Sequence, residues 1–134
     1  MVPVSVARSS VVGMAAAPLD VALAYFDAWS HGDLDGAMAY IDPDIVCDAP
    51  PGRLVGAEAY RAFMTPFVSM LVSASVIAAF GDDEKALIMY DTVTRPVPDA
   101  PGAECVTVVD GRITRSRFLF DRAPFDAARA AAAG

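Results

Sequence analysis

The segment from Tyr25 to Met64 constrains the fold more than any other part of this 134-residue chain. Its sequence is YFDAWSHGDLDGAMAYIDPDIVCDAPPGRLVGAEAYRAFM. The pattern predicts, in order, a helix, a glycine cap, a second helix, a strand, a glycine loop and a third helix. Chance rarely produces this order, so the segment leaves few folds to consider.

Three helices are expected in the first half of the chain, over 18–31, 33–41 and 57–70. Apolar residues at i, i+3, i+4 and i+7 support the first helix, and Asp33 can cap the second by accepting its free amides. Pro66 lies within the third helix. It should kink that helix or end it early, because proline lacks an amide proton and crowds the preceding turn.

Beyond Leu71 the apolar period changes from that of helices to that of strands. In addition to a short strand over 45–49, the strands expected are 72–80, 86–95, 104–109 and 113–121. The Asp110-Gly111 pair is a hairpin signal. Helices first and an antiparallel meander second are typical of an α+β fold, and this length suits one domain with one core.

The composition is that of a compact soluble protein. Hydrophobic residues make up 55% of the chain, yet no apolar run reaches the roughly 20 residues that a membrane span needs. Ten Lys and Arg against seventeen Asp and Glu give a net charge of −7, which repels phosphate backbones. We therefore expect neither a membrane nor a nucleic acid as partner.

Residues 1–17 show no durable period and are expected to be a flexible N-terminal arm that makes a poor signal peptide. The domain is expected over 18–125, and the alanine-rich tail over 126–134 could extend as a frayed helix. Cys47 and Cys105 lie in separate strands without a CxxC pattern. This fits reduced thiols, so a cytoplasmic location is expected.

No motif indicates a metal or a cofactor. His31 is the only histidine, and it lies at the Gly32 turn, where an exposed position is expected. The chain has no nucleophile elbow, no Walker loop and no dinucleotide fingerprint. Any reaction is therefore expected to need no bound cofactor.

The Tyr25–Met64 segment resembles the N-terminal half of the NTF2-like superfamily. Within that superfamily it is most similar to the SnoaL-like polyketide cyclases and the ketosteroid isomerases. The resemblance covers roughly 18–125. It implies an NTF2-like (cystatin-like) cone, in which three N-terminal helices pack in a strongly bent, mainly antiparallel sheet. One apolar pocket inside the cone would be the functional site.

The ketosteroid isomerase pattern matches only in part. Tyr25 matches the family tyrosine whose hydroxyl donates to a developing oxyanion. The family's base falls on Ala49, and the carboxylate of Asp48 should point away from the pocket, because successive strand residues face opposite sides. The second family carboxylic acid falls near Cys105.

The SnoaL-like cyclases carry a His-Trp-Asp type segment in the final strand. Ser116, Arg117 and Phe118 stand near those positions here, so this base is also replaced. The resemblance is therefore specific for the fold and much less so for an activity.

A different carboxylate can take over the role of base. Matching the strand over 86–95 to the family places Asp91 and Arg95 on the pocket side together with Met89 and Val93, and the intervening Tyr90, Thr92 and Thr94 outside. Asp91 would be the base and Arg95 its orienting cation. The alternative is a structural ion pair at the cone mouth, with equal weight.

The other candidate site residues are predicted to line the pocket and bind substrate. For Trp29, packing as pocket wall is favoured over stacking on a substrate. For Tyr25, a buried hydroxyl needs a partner, either Asp91 or a ligand carbonyl. The remaining lining residues are Cys47, Ala49, Phe63, Met64, Met89, Val93, Cys105, Ser116, Phe118 and Phe120.

Three function classes remain. The favoured one is a cofactor-independent isomerase, cyclase or epoxide hydrolase acting on an apolar oxygenated molecule such as a polyketide, terpene or steroid-like compound. The second is a pocket that binds such a ligand without catalysis, and the third is an interaction module. A homodimer is expected through the convex sheet face, which is predicted to carry Thr92, Thr94, Arg115 and Arg117.

Overall fold

The computed structural model describes residues 16–133, so the expected N-terminal arm lies almost wholly outside the described residues. The helices are α1 Pro18–Ser30, α2 Leu34–Met38, α3 Ala57–Met70 and α4 Ala123–Ala133. The strands are β1 Ile41–Ala49, β2 Gly52–Val55, β3 Leu71–Gly81, β4 Lys85–Thr94, β5 Gly102–Val109 and β6 Arg112–Phe120.

The six strands form one sheet in the order β2-β1-β6-β5-β4-β3. All neighbours are antiparallel except β1 and β6, which run parallel. Three helices precede the antiparallel meander of β3 to β6, so the α+β class is confirmed. The fourth helix is an addition that the sequence suggested only as a frayed alanine-rich end.

Two prolines lie inside regular elements. The expected helix over 33–41 would place Pro43 just after a helix end, but α2 stops at Met38 and Pro43 lies inside β1. It falls where the β1 register with β6 shifts, the kind of irregularity that tolerates a missing amide. Pro66 does not end α3 early, since the helix continues to Met70 with its inner side held in the core by Met64.

The core lies between α1, α3 and one face of the sheet. β4 alternates strictly between exposed and buried side chains, as a strand with one solvated face should. Trp29 of α1 meets Phe26 and Tyr90 edge to face or nearly so, with ring centroids 4.7 Å and 5.4 Å away. Among the described helices, none has the length and hydrophobicity to span a membrane.

The turn between β5 and β6 confirms the hairpin signal and provides a stability test. Asp110 and Gly111 have φ values of +50° and +77°, as a two-residue primed turn requires. Gly111→Ala should lower the free energy of unfolding by about 1 kcal/mol, because a Cβ is strained at this φ. Urea titration measures this, with Asp110→Asn as a near-neutral control. Equal stability of Gly111→Ala and wild type would contradict the assignment.

Candidate functional site

An apolar cavity of about 340 Å³ opens between α3, the ends of β4, β5 and β6, and α4. Phenylalanine, methionine and proline side chains form most of its wall. The lining residues used below are Phe63, Met64, Phe67, Tyr90, Thr92, Ala100, Gly102, Phe118, Phe120, Arg122, Phe125, Asp126 and Arg129. The three charged members of this wall all lie at the α4 end.

The sheet register shows what lies behind the cavity. Gly102 of β5, which lines it, is flanked by Tyr90 and Phe120 on the neighbouring strands. Two residues further along the same face of β5 comes Glu104, with Phe118 as its β6 partner. A step of two residues along a strand is about 7 Å, so Glu104 lies one row beyond Gly102, beside the lining residue Phe118, and is not itself part of the cavity wall.

Among residues 16–133, Glu104 is the one buried carboxyl, with 2% of its surface exposed. Its Oε2 accepts hydrogen bonds from Ser116 Oγ at 2.6 Å, the Tyr60 hydroxyl at 3.2 Å and the Tyr25 hydroxyl at 3.4 Å. The two tyrosine hydroxyls are also hydrogen-bonded to each other. Side chains of helices α1 and α3 thus donate hydrogen bonds to the carboxyl that β5 carries, and β6 contributes Ser116.

A proton count makes this cluster unusual. Tyr25, Tyr60 and Glu104 form a triangle of three contacts, and the two phenols supply one proton each. When the carboxyl is ionised, two protons serve three contacts. Protonation of Glu104 supplies a third, so that each of the three contacts then has its own proton.

Burial dominates the electrostatics of the cluster. Desolvation raises the pKa of Glu104 from 4.5 to about 7, and the three hydroxyl donors oppose that rise. Desolvation and the Glu104 charge also raise the pKa values of Tyr25 and Tyr60 well above 10.0. The tyrosines therefore stay protonated as donors, while Glu104 titrates near neutral pH.

Cys47 is buried beside the same cluster, with Ser116 as its β6 partner. Burial, and then the Glu104 charge, raise the pKa of its thiol to about 12. The thiolate is the nucleophilic form, so Cys47 is an unreactive residue of the core and does not line the cavity.

The predicted site residues divide into two groups. The first group lies inside the molecule. Phe63, Met64, Phe118 and Phe120 line the cavity, while Tyr25, Cys47 and Ser116 surround Glu104. Trp29 packs behind Phe67 and Tyr90, and its indole nitrogen has no hydrogen-bond partner among residues 16–133. Ala49 is partly buried at the end of β1.

The second group lies on the opposite face of the sheet. Asp91 is exposed, so its predicted position inside the pocket is wrong, and Met89 and Val93 of the same strand are 48% and 36% exposed. Cys105 also faces outward, because its neighbours on β5 are buried. The Arg95 guanidinium donates to the Ser69 carbonyl at 2.5 Å rather than orienting Asp91.

The prediction of the convex sheet face was wrong for β4, because its two faces are exchanged relative to the prediction. Thr92 and Thr94 are buried, each 2% exposed, whereas Arg115 and Arg117 are exposed as expected. Asp48 also points outward, and Arg53 holds it by an ion pair of 2.8 Å.

The inward threonines anchor the loop that forms one side of the cavity. Thr92 Oγ1 donates to the Ala100 carbonyl at 2.5 Å, and Thr94 Oγ1 donates to the Val97 carbonyl at 2.8 Å. Backbone amides of the same two loop residues return bonds to β4, at 3.0 Å in each case. These bonds fix the loop against the strand.

Sequence reasoning missed Glu104 by one residue. The resemblance located a family carboxylic acid near Cys105, and Glu104 precedes it. The signal was available in the alternation of β5, where Val106 and Val108 share a face with Glu104 and are the more apolar set. Tyr60 was also missed, since its spacing on α3 marks it only as a core residue.

Comparisons with known proteins agree with this architecture. The model of the SnoaL-like domain matches residues 22–116, more than half of the chain. The resemblance to the NTF2-like superfamily and its SnoaL-like members is therefore confirmed. No curated protein matches the chain.

Solved structures give the same result. A protein from Kribbella flavida DSM 17836 is 57% identical, with a TM-score of 0.84 over 86% of this chain and 95% of its own. An NTF2-like protein of unknown function from Cytophaga hutchinsonii ATCC 33406 is 18% identical, with a TM-score of 0.71 over 86% and 99%. A candidate polyketide cyclase from Sinorhizobium meliloti is 26% identical, with a TM-score of 0.66 over 75% and 94%.

The raised pKa of Glu104 predicts a pH-dependent stability. Between pH 4.5 and about pH 7, Glu104 is more protonated in the folded state than in the unfolded state. The stabilisation is therefore complete below pH 4.5 and is lost as the pH rises through 7. The full loss is roughly 3 kcal/mol. Unfolding free energies at pH 5 and pH 8 should show this fall in wild type and not in Glu104→Gln. Exposed Glu58→Gln is the control, and an unchanged fall in Glu104→Gln would refute the assignment.

Proposed function

The chain belongs to the SnoaL-like domain family, and we propose that it binds an apolar oxygenated small molecule in the cavity and moves a proton on it. Glu104 is the base in this proposal, and Tyr25 and Tyr60 are the hydroxyl donors. The observation that carries the proposal is a buried carboxyl with a pKa of about 7, paired across the sheet with Phe118 of the apolar cavity wall. A general base works best with a pKa near the operating pH.

The proposed reaction is proton abstraction next to a carbonyl group. Glu104 takes the proton from carbon, and the electron pair of that C–H bond moves into an enolate whose charge rests on oxygen. A tyrosine hydroxyl donates a hydrogen bond to that oxygen. Return of the proton to another carbon gives an isomer. Attack of the enolate carbon on a second carbonyl closes a ring, and the alkoxide formed on the second carbonyl oxygen takes the proton back from Glu104.

Contact with Glu104 requires a small movement of the cavity wall. Phe118 lines the cavity and stacks on Tyr60 with ring centroids 6.2 Å apart, and Met64 lines the same wall. Methionine is flexible and adapts its shape, so rotation of Met64 is the proposed route by which a substrate meets the hydroxyls.

A non-catalytic ligand pocket is the second candidate. It is favoured by the closure of the cluster, since Tyr25, Tyr60 and Glu104 are exposed by only 1%, 0% and 2%. Epoxide opening by an Asp91–Arg95 pair is not proposed, because Asp91 is on the outer face and Arg95 bonds to Ser69.

Deuterium exchange separates the two candidates without knowledge of the substrate. In D₂O near neutral pH, wild type should accelerate loss of the α-proton NMR signal of 1-tetralone, an apolar ketone. Glu104→Gln should lower this rate by roughly two to four orders of magnitude, the usual scale for a general base. Tyr25→Phe and Tyr60→Phe should lower it less, because each removes one donor.

Asp91→Asn is the matched control, a carboxylate removed from the outer face of the neighbouring strand, and should exchange at the wild-type rate. Bound tetralone without accelerated exchange would favour the non-catalytic pocket. Failure of tetralone to bind at all would overturn the cavity as a ligand site for this class.

We also propose that two copies pair through the outer sheet face, defined as the face that carries Leu87, Met89 and Leu119. These side chains are 48%, 48% and 61% exposed, and Met89 and Leu119 are both register partners of Ala103. Lys85 and Asp91 lie at opposite ends of this face on β4. A two-fold axis between them would bring each acid toward the partner's base.

Met89→Glu should convert a dimer into a 14.0 kDa monomer at micromolar concentration, because it places a charge at the centre of an apolar contact. Sedimentation velocity measures the masses. Leu23→Glu, at a partly exposed position of α1 away from this face, is the control and should leave the dimer intact. A monomeric wild type would exclude the pairing.

We also propose a cytoplasmic location for the protein. Cys47 and Cys105 are both free thiols, and Cys47 is buried where it packs as a small apolar side chain. Free thiols are usual where the surroundings are reducing, which supports a cytoplasmic location.

A further inference from the structure

The charges of the cavity wall are confined to one end and do not balance. Arg122, Asp126 and Arg129 are its charged members, and all lie at or on α4. Arg129 forms an ion pair with Asp126. Arg122 forms no ion pair in the part of the chain that the structure describes, so one unpaired cation remains at the cavity mouth.

This unpaired cation is opposite in sign to the net charge of the protein. The chain carries a net charge of −7, and seventeen acidic residues are available to pair with ten basic ones. Beyond Arg122 the wall is aromatic, with Phe63, Phe118 and Phe120 leading inward toward the row of Glu104. The cavity therefore has its charged residues at one end and an apolar body.

We propose that the ligand is an amphipathic carboxylic acid, whose carboxylate binds Arg122 while its apolar, oxygenated part enters the cavity. This inference rests on the proposed function of the same cavity. A guanidinium group presents a planar fork of donors that matches a carboxylate. An anion directed away from Arg122 would meet the apolar wall of Phe63, Phe118 and Phe120 and lose its solvation without a partner, so Arg122 favours one orientation of the ligand.

A matched pair of competitors tests this assignment. N-phenyl-1-naphthylamine is a neutral dye that fluoresces in apolar cavities, and 2-naphthoate and methyl 2-naphthoate compete for the same space with and without the charge. Wild type should bind the acid about three- to tenfold tighter than the ester, the range expected for one partly exposed charge-assisted contact. Arg122→Gln should abolish this preference and leave the dye and the ester unchanged.

Three variants serve as controls. Arg117→Gln removes a cation from the outer sheet face and should keep the preference, and Arg122→Lys should restore part of it because the charge is retained. Ala100→Trp fills the cavity and should weaken dye binding, which locates the dye inside.

The outcomes separate the two proposals. Dye binding that Ala100→Trp does not weaken counts against the cavity as a ligand site, and thus against the proposed function itself. Dye and ester binding without a preference for the acid, or a preference that survives in Arg122→Gln, overturns only the carboxylic acid assignment.

Discussion

The carboxyl of Glu104 can be buried only because three hydroxyl groups from three different elements meet it. Tyr25 comes from α1, Tyr60 from α3 and Ser116 from β6. A buried polar group without hydrogen bonds costs several kcal/mol, so each of these elements is held at a defined distance from β5. The position of both helices over the sheet, and so the shape of the cavity beyond Tyr60, depends on this one cluster.

The fold could be predicted because its signals are local. The apolar stripe of α1, the change of period after Leu71 and the Asp110-Gly111 turn each lie within a few consecutive residues. The features that were not predicted also have physical causes. β2 was not predicted because it is only four residues long. Pro43 and Pro66 lie in a strand and a helix whose packing outweighs the lost amide. Propensity alone does not report that packing.

The site was predicted less well because its geometry is not local. Both faces of β4 are apolar, with Leu87 and Met89 on one and Ile88 and Tyr90 on the other, so alternation did not decide which face is inside. A wrong choice moves every side chain of a strand to the opposite face. The partners of Glu104 are also far apart in sequence, with Tyr25 separated from it by 79 positions.

The threonine anchors of the cavity loop have an evolutionary consequence. The acceptors used by Thr92 and Thr94 are backbone carbonyls, which are present whatever side chain the loop carries. Position 100 can therefore accumulate substitutions while the backbone beneath it stays in place. Selection for a new ligand can therefore change the side chain at position 100, on one rim of the cavity, without altering the hydrogen bonds that hold the loop.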